Sequence, residues 1–318
     1  MSTARKQYWA KRIVFPVAVV SYRLTSLLRR IRTTLFHQRE GVIGWLSQGP
    51  APIGPRPRVL AGIVHVTAPI GGYEPRSLEV KIERVRKAID GLLSSFSHCD
   101  LEIVLVTYRD QNVIDRLPDY QQQRIRIVTH ESGDPLYMGF HVQDVFFEER
   151  DKHDWFLFTE DDLVLHDSTF LDKLSRFNAA IGHDKIVLVP NRYEYVAGAK
   201  TYIDLYKRSQ GEDFVFDLAS GRTIDGLVFA ENANPHTGLY CLSRKQLDRW
   251  DRSGRHWYNK SNFVGPLESA ATGCLYECFV LYKPGPTNLH FVEIEHLDDK
   301  YTKAIHELRA AAAASSVG

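Results

Sequence analysis

The sequence predicts an α/β fold: one domain built on a mostly parallel central sheet and preceded by a basic amphipathic helix. Short β-rich runs alternate with longer segments of helical periodicity, an order that favours parallel strands covered on both faces. At 318 residues the chain has room for two small domains or one large one, and it shows no internal repeat. Its composition, 44% hydrophobic and 25% charged, is that of a globular protein and excludes collagen-like and wholly disordered chains.

The first 48 residues are predicted to form a basic amphipathic arm. Nine of the first 40 are Lys or Arg, and only Glu40 is acidic. Apolar residues from Val17 to Leu35 recur at three- and four-residue spacing after Pro16, which is typical of a helix with one apolar stripe. The longest uncharged stretch there, residues 13–22, is far shorter than the ~20 apolar residues that span a bilayer. Two interpretations stay open: the arm lies on an anionic membrane surface, or it docks on the protein's own core.

Charge and cysteine usage limit the partners and the location. Outside the arm, acidic residues outnumber basic ones, and since phosphate contact needs a basic face, a nucleic-acid partner is not expected. No two cysteines have the CxxC spacing of a metal site, and no cleavable signal peptide is recognisable. We interpret the four cysteines as reduced packing residues and expect a cytoplasmic protein, peripheral to the inner face of the membrane if the arm binds lipid. They are Cys99, Cys241, Cys274 and Cys278.

The folded domain is predicted to span residues 58–300. A Pro- and Gly-rich linker at residues 49–57 precedes it, and residues 301–318 are expected to form a C-terminal helix or tail. β-rich runs that end in polar or Pro/Gly loops predict strands at 59–67, 101–107, 124–129, 155–159 and 186–190. Apolar residues at helical spacing predict helices at 78–92, 136–150, 170–177 and 266–279. The rest of the chain past Asn191 is expected to be irregular.

Three consecutive carboxylates, Glu160, Asp161 and Asp162, directly follow the predicted strand 155–159. In open parallel sheets, ligands bind outside the carboxyl ends of the strands. So much charge at the edge of a core is unfavourable unless a cation or hydrogen bonds compensate it. A hard divalent cation shared between carboxylates and substrate phosphates meets that need. The sequence therefore predicts a site for Mn²⁺ or Mg²⁺ and a phosphorylated ligand; the alternative is an exposed acidic turn.

An apolar strand that ends in Glu-Asp-Asp resembles the acidic motif of GT-A fold glycosyltransferases, with Glu where the commonest pattern has Asp. The resemblance covers residues 58–300. It implies a single GT-A-like, Rossmann-type catalytic domain with a nucleotide-binding half at 58–165 and an acceptor-binding half at 166–300. It also implies that Asp162 coordinates the metal on the diphosphate of a UDP- or GDP-sugar. Glu160 and Asp161 would face the ribose and the sugar.

The resemblance also places the nucleotide base in the loops after the first two strands. Thr67, Ala68 and Pro69 follow the first strand, and Arg109 and Asp110 follow the second. A carboxylate there suits an amine or imide edge of the base, and an arginine suits phosphate. The alternative for the second pair is an ordinary polar turn. Because no GxGxxG fingerprint is present, nicotinamide-dependent chemistry loses its main support.

Two downstream carboxylates are candidates for the general base. In inverting members of the family, a carboxylate from the acceptor side deprotonates the attacking hydroxyl. Glu268 lies in the first turn of the helix predicted to begin near Pro266, where the helix dipole stabilises an anion. It is the first candidate for this role, and Glu231 is the reserve. The alternative is that Glu268 only caps its helix.

A late histidine and two aromatic residues complete the predicted site. In some glycosyltransferases of this fold a histidine near the C-terminus completes the metal shell, and His296, beside acids at the end of a β-like run, is the candidate. A structural or solvated histidine is the alternative. Trp257 and Tyr258 suit the apolar faces of acceptor sugars, although packing against the sheet would use them equally well.

Together these features predict a metal-dependent glycosyltransferase of glycan or polysaccharide biosynthesis. It would move a sugar from a nucleotide-diphosphate donor to a hydroxyl of a glycan or lipid-linked acceptor. The cation would neutralise charge on the departing diphosphate while a carboxylate takes the proton of the nucleophile. Two alternatives stay open. One is a sugar nucleotidylyltransferase, although residues 68–73 lack a basic phosphate-loop residue; the other is a non-catalytic glycan- or nucleotide-binding subunit of the same fold.

Overall fold

The structure of the protein, a computed structural model, describes residues 56–67, 77–204, 206–207, 212–213, 216–254, 263–276 and 278–315. The predicted arm at residues 1–48 lies outside these ranges, as does the linker up to residue 55. The candidate residues Ala68, Pro69, Trp257 and Tyr258 also lie outside them. None of the helices in the described ranges is both long and apolar enough to cross a membrane.

The first half of the described chain alternates strands and helices, and the second half is rich in strands. The strands are β1 (Arg58–Val64), β2 (Asp100–Tyr108), β3 (Ile125–His130), β4 (Trp155–Glu160), β5 (Leu163–Val164), β6 (Ile186–Leu188), β7 (Asn191–Val196), β8 (Ala199–Tyr202), β9 (Tyr206–Lys207), β10 (Glu212–Asp213), β11 (Phe216–Ile224), β12 (Leu227–Asn232), β13 (Leu239–Ser243), β14 (Val280–Pro284) and β15 (Glu293–His296). The α-helices are α1 (Leu78–Ser95), α2 (Asp119–Gln122), α3 (Met138–Glu148), α4 (Phe170–Ile181), α5 (Arg244–Arg252), α6 (Pro266–Ala271) and α7 (Lys300–Ser315).

Four parallel strands and one antiparallel strand form the central sheet, in the order β13-β4-β1-β2-β3. β1 pairs in parallel with both β2 and β4, and β2 with β3, whereas β13 runs antiparallel to β4. The predicted α/β class and mostly parallel sheet are confirmed for this part of the chain. Two four-stranded sheets, β5-β15-β7-β8 and β11-β12-β14-β6, each mix parallel and antiparallel pairs. In addition, β9 and β10 form a two-stranded antiparallel sheet. The chain is therefore an α/β protein with mixed sheets.

The strand order reverses beside β1. The chain moves outward from β1 to β2 and β3, and then returns to place β4 on the other side of β1. Loops that leave adjacent strands in opposite directions open a crevice at the carboxyl ends of those strands, and ligands of open α/β sheets bind in such a crevice. The crevice of this protein therefore lies between the end of β1 and the acidic residues that end β4.

Helices cover both faces of the central sheet because neighbouring side chains of a strand point to opposite faces. Val59, Ala61 and Ile63 pack on the face that α1 and α4 cover, while Leu60 and Val64 pack on the face that α3 covers. All five side chains are buried. This explains why β1 reads as an unbroken apolar run in the sequence rather than as an alternating one.

Helix α1 lies close to the strand that follows the acidic triplet. The helix begins at Ser77, whose side chain accepts a hydrogen bond from the backbone N–H of Val80. Further along, Gly91 permits a close approach, since a Cβ atom there would lie 2.8 Å from the carbonyl oxygen of Leu165. This contact holds one face of α1 against the end of β5, and Arg84 of the same helix donates to Asp162.

The structure corrects the prediction for the chain past Asn191, which is not irregular but supplies strands to all the sheets. The polar residues of these strands hide their β pattern: β7, for example, contains the buried side chains of Arg192 and Glu194. The helix predicted at 266–279 ends as an α-helix at Ala271 and continues only as a short 3₁₀ turn, Gly273–Leu275. The four cysteines are buried and form no disulfide, as predicted.

Candidate functional site

The acidic triplet lies at the crevice between β1 and β4. Glu160 ends β4 and is in register with Val64 of β1, while Asp161 and Asp162 form the turn before β5. Gly238, at the start of β13, packs against Glu160: its φ is +65°, and a Cβ atom there would lie 2.7 Å from Glu160 Oε2. Burial and the charge of Asp162 raise the pKa of Glu160 to about 7. Its surroundings therefore favour the neutral form of the Glu160 carboxyl.

A histidine that sequence analysis missed links the two strands across the crevice. His65, just after β1, is fully buried, and its Nδ1 donates to Asp161 Oδ2 at 2.5 Å. Among the described residues its Nε2 has no hydrogen-bond partner. The only signal in the sequence is one imidazole within the apolar run from Val59 to Val66. The contact fixes Asp161 against the end of β1.

Asp162 is the centre of a second group of charges. Its Oδ2 lies 3.4 Å from His296 Nε2 and 3.4 Å from Arg84 Nη1, and Arg84 also pairs with Asp298 at 3.4 Å. The backbone N–H of Leu297 donates to the Asp162 carbonyl oxygen at 2.9 Å, which joins this turn to the end of β15. The chain thus supplies two cations of its own to the carboxylate.

These charges shift the pKa values of the pair. Burial would raise the pKa of Asp162, but the charge and hydrogen bond of His296, with Arg84 beside them, hold it well below its usual range. For His296, burial favours the neutral ring, yet Asp162 and Glu194 outweigh burial and raise the pKa to about 9. Asp162 and Glu194 thus favour the charged form of the His296 ring.

The Asp162–His296 pair also has the geometry of two ligands to one cation. Two ligand atoms that each lie ~2.1 Å from a metal are ~3 Å apart or somewhat more, close to the 3.4 Å seen between Oδ2 and Nε2. The other oxygen, Asp162 Oδ1, is buried and has no hydrogen-bond partner among the described residues. No group of three or more His, Cys, Asp or Glu side chains that could hold a metal occurs in those residues. The pair therefore fits a metal that takes its remaining ligands from water or phosphate.

A cavity of about 590 Å³ gives access to this centre from the side of α1. His296, Arg84 and Asp298 line the cavity, together with Tyr195 at the end of β7 and the exposed side chain of Val80. Carboxylates outnumber cations along its walls. An anionic group entering from this side would therefore need a cation to accompany it.

The structure brings one candidate base to the triplet and places the other elsewhere. Glu268 lies in the first turn of α6, and its charge adds to the rise in the pKa of Glu160. The pKa of Tyr301 is raised to about 12, mainly by burial and in part by the charge of Glu268. Glu231 lies on β12, in the sheet β11-β12-β14-β6, where its charge acts on Tyr282. Glu268 is thus the candidate within electrostatic reach of the crevice.

The loops after β1 and β2 meet at the same edge of the sheet. The backbone N–H of Thr67 donates to the carbonyl oxygen of Gln111 at 3.0 Å, and Lys81 of α1 donates to the carbonyl oxygen of Thr67 at 2.7 Å. Arg109 has a left-handed backbone, φ 52°, and with Asp110 it is exposed to solvent. Both side chains therefore lie outside the core, and their contact with a nucleotide base stays a prediction.

A separate buried charge cluster lies behind the triplet. Asp204 accepts hydrogen bonds from Arg192 at 2.7 Å and from Lys283 at 3.0 Å, and Lys283 also donates to the carbonyl oxygen of His236 at 2.8 Å. Despite burial, the two cations hold the pKa of Asp204 well below its usual range. The charge of Arg192 also opposes the rise in the pKa of Glu160.

Sequence patterns identified the acidic triplet and His296 but not their partners. Arg84 is one charged residue on a charged helix face, and Glu194 lies in a strand that reads as a polar loop. The pairing of Arg84 with Asp162 spans 78 positions and that of Glu194 with His296 spans 102. Such pairs are set by tertiary contacts and leave no local signal.

Comparisons with known proteins identify no family for this chain. No protein-family model matches it, and no curated protein matches it. A solved mycobacterial protein is 14% identical over 76% of this chain and 68% of its own, with a TM-score of 0.41. HddC from Yersinia pseudotuberculosis, solved in complex with GMP-PN, is 9% identical over 59% of this chain and 77% of its own, with a TM-score of 0.33. Likenesses of this degree carry no conclusion about function.

Proposed function

We propose that the protein is a metal-dependent glycosyltransferase that transfers a sugar from a UDP- or GDP-sugar to a hydroxyl group of a glycan or lipid-linked acceptor. The observation that carries the proposal is the pair Asp162 and His296 at the switch point of the sheet. Their ligand atoms are 3.4 Å apart, at the carboxyl edge where open α/β sheets bind nucleotides. A bound Mn²⁺ or Mg²⁺ would neutralise charge on the diphosphate. The imidazole favours Mn²⁺, because Mg²⁺ prefers oxygen ligands.

The donor would lie across the crevice between β1 and β4. The loops that contain Thr67, Pro69, Arg109 and Asp110 would receive the base, and Glu160 and Asp161 would face the ribose and the sugar. The bond from His65 to Asp161 supports this arrangement, since it holds one of these carboxylates in place. The cations of Lys81 and Arg84, both directed to this edge, would lower the charge repulsion that a diphosphate meets there.

The transfer itself would use Glu268 as the general base. The acceptor hydroxyl oxygen attacks the anomeric carbon of the sugar, the bond from that carbon to the diphosphate oxygen breaks, and the hydroxyl proton passes to the Glu268 carboxylate. The bonding electrons leave with the diphosphate. Trp257 and Tyr258 would bind the acceptor, and the basic arm would hold the enzyme at an anionic membrane surface if the acceptor is lipid-linked.

A panel of nucleotide sugars tests the proposal. The purified full-length protein is incubated with each donor and Mn²⁺ or Mg²⁺, and release of the nucleoside diphosphate is measured with and without candidate acceptors. We expect metal-dependent release of UDP or GDP that Asp162→Ala abolishes. The control Asp172→Ala removes an exposed acid of α4 and should leave the release unchanged.

Two results would overturn the proposal. If no donor is hydrolysed or transferred and calorimetry finds no metal-dependent nucleotide binding, the protein is not a nucleotide-sugar enzyme. If pyrophosphate is instead produced from a nucleoside triphosphate and a sugar phosphate, the protein is a nucleotidylyltransferase.

A further inference from the structure

We propose that Glu194 is a positioning residue that makes His296 a metal ligand, so that Asp162, His296 and Glu194 work as one unit. This inference rests on the proposed metal site. Glu194 lies in the middle of β7, and its Oε1 accepts a hydrogen bond from His296 Nδ1 at 2.8 Å. Histidines that bind metals commonly donate their second ring nitrogen to a carboxylate, which fixes the ring and raises its basicity.

The Glu194 carboxylate is held rigidly. The side chain is completely buried, and its second oxygen, Oε2, accepts a hydrogen bond from the backbone N–H of Thr302 at 2.7 Å. Thr302 lies in the first turn of α7, so the carboxylate joins β7 to both β15 and this helix. Because both oxygens accept hydrogen bonds, Glu194 cannot rotate away from His296 without breaking a buried hydrogen bond.

The hydrogen bond to Glu194 decides which imidazole nitrogen faces Asp162. A proton on Nδ1 is retained by Glu194, so Nε2 is the nitrogen directed at Asp162 Oδ2, 3.4 Å away. A metal ion held between them would be bound through the Nε2 lone pair, with the Nδ1 proton kept on the side of Glu194. The ring of Tyr301 lies beside that of His296, with centroids 5.4 Å apart, and limits tilting of the imidazole.

Binding of Mn²⁺ alone tests the role of Glu194. Calorimetry on the full-length protein should show that Glu194→Gln weakens Mn²⁺ binding by about 10- to 100-fold, the usual effect of losing an outer carboxylate. The matched control is Glu293→Gln on β15. That carboxylate bonds to Lys200 and Tyr202 in the same sheet, and its loss should leave the affinity unchanged.

A double-variant cycle separates positioning from general damage. If Glu194 acts through His296, then Glu194→Gln should have no further effect on Mn²⁺ affinity in a His296→Ala background. The rise in Tm that Mn²⁺ produces provides a second measurement, which should be smaller for Glu194→Gln and for the shortened Glu194→Asp than for the wild type. Glu194→Asp keeps the negative charge, so it still allows the measurement if Glu194→Gln does not fold.

The outcomes distinguish this inference from the proposed function. Wild-type affinity in Glu194→Gln and Glu194→Asp, with loss of binding in Asp162→Ala, would refute the role of Glu194 and leave the metal site in place. An additive effect of the two changes in the cycle would also refute it. If the wild-type protein binds no Mn²⁺, with or without a nucleoside diphosphate, both the metal site and the role of Glu194 are refuted.

Discussion

Asp204 and Asp162 are each paired with two cations, and they differ in how completely they are enclosed. Asp204 has a side chain only 1% exposed, and Arg192 and Lys283 occupy both of its oxygens at hydrogen-bonding distance. Asp162 is 19% exposed, its two cations share one oxygen at 3.4 Å, and its other oxygen has no partner among the described residues.

The difference shows that charge alone does not identify a binding site. In the cluster of Asp204, both carboxylate oxygens already accept hydrogen bonds from Arg192 and Lys283, so the carboxylate has no unpaired oxygen left for a ligand. The cluster at Asp162 has long contacts and a free oxygen lone pair beside a cavity. Incomplete hydrogen bonding, at the edge of the sheet where ligands bind, is what makes the Asp162 cluster the candidate site.

The largest effect on stability is expected from breaking the closed cluster, which consists of Asp204, Arg192 and Lys283. Asp204→Asn leaves Arg192 and Lys283 buried without a counter-charge, and we expect a loss of about 3–5 kcal/mol in the free energy of unfolding. Asp162→Asn should lower the free energy of unfolding clearly less, because Arg84 is still paired with Asp298 and His296 is still hydrogen-bonded to Glu194. Urea denaturation of both variants measures the difference. Equal losses would contradict the distinction between the two clusters.

At the open site, which is the crevice around Asp162, the expected change is in activity. Glu268→Gln keeps the size of the side chain but removes the base, and we expect kcat to fall by about 10²-fold or more with little change in stability. The matched comparison is Glu231→Gln, which lies in another sheet and should retain wild-type kcat. If kcat falls more in Glu231→Gln than in Glu268→Gln, then Glu231 is the general base and Glu268 is not.

The closed cluster should also make the free energy of unfolding depend on pH. Arg192, Lys283 and the nearby His236 surround the Asp204 carboxyl, whose pKa in the folded state is well below that of the unfolded state. The stabilisation is therefore complete above about pH 4 and is lost as the pH falls toward the folded pKa, by ~1.4 kcal/mol per unit. The stability difference between wild type and Asp204→Asn should narrow below pH 4. A difference that stays constant from pH 6 to pH 2 would refute this.

The smallest effect concerns the glycine that borders the open site. Gly238→Ala forces a side chain into a left-handed backbone and against Glu160, whereas Gly182→Ala meets the same backbone penalty, φ +72°, with no atom within 4 Å. The backbone penalty is about 1–2 kcal/mol in both. We expect Gly238→Ala to lose more stability than Gly182→Ala and also to lower donor affinity. Identical stability and affinity would show that Glu160 can move aside freely.

Sequence patterns and the structure agree best where one strand is enclosed on both sides. β1 and β4 appear as continuous apolar runs, and the acidic triplet stands out because it follows such a run directly. The sequence missed most strands past Asn191, because their buried charged residues neutralise one another only after folding. The roles of Glu160, Asp161, Asp162, Glu268 and His296 as site residues stay predictions that the experiments above will test.

By itself, the sequence determined the α/β class, the parallel strands and the carboxylates at the end of β4, since hydrophobic burial and strand periodicity are local properties of the chain. Only the tertiary structure decided that His65 meets Asp161, that Arg84 and His296 meet Asp162, and that Glu194 lies behind His296. These residues come from strands and helices far apart in the chain. Their contacts depend on the strand order and on the packing of α1, α7 and β15, which no local pattern encodes.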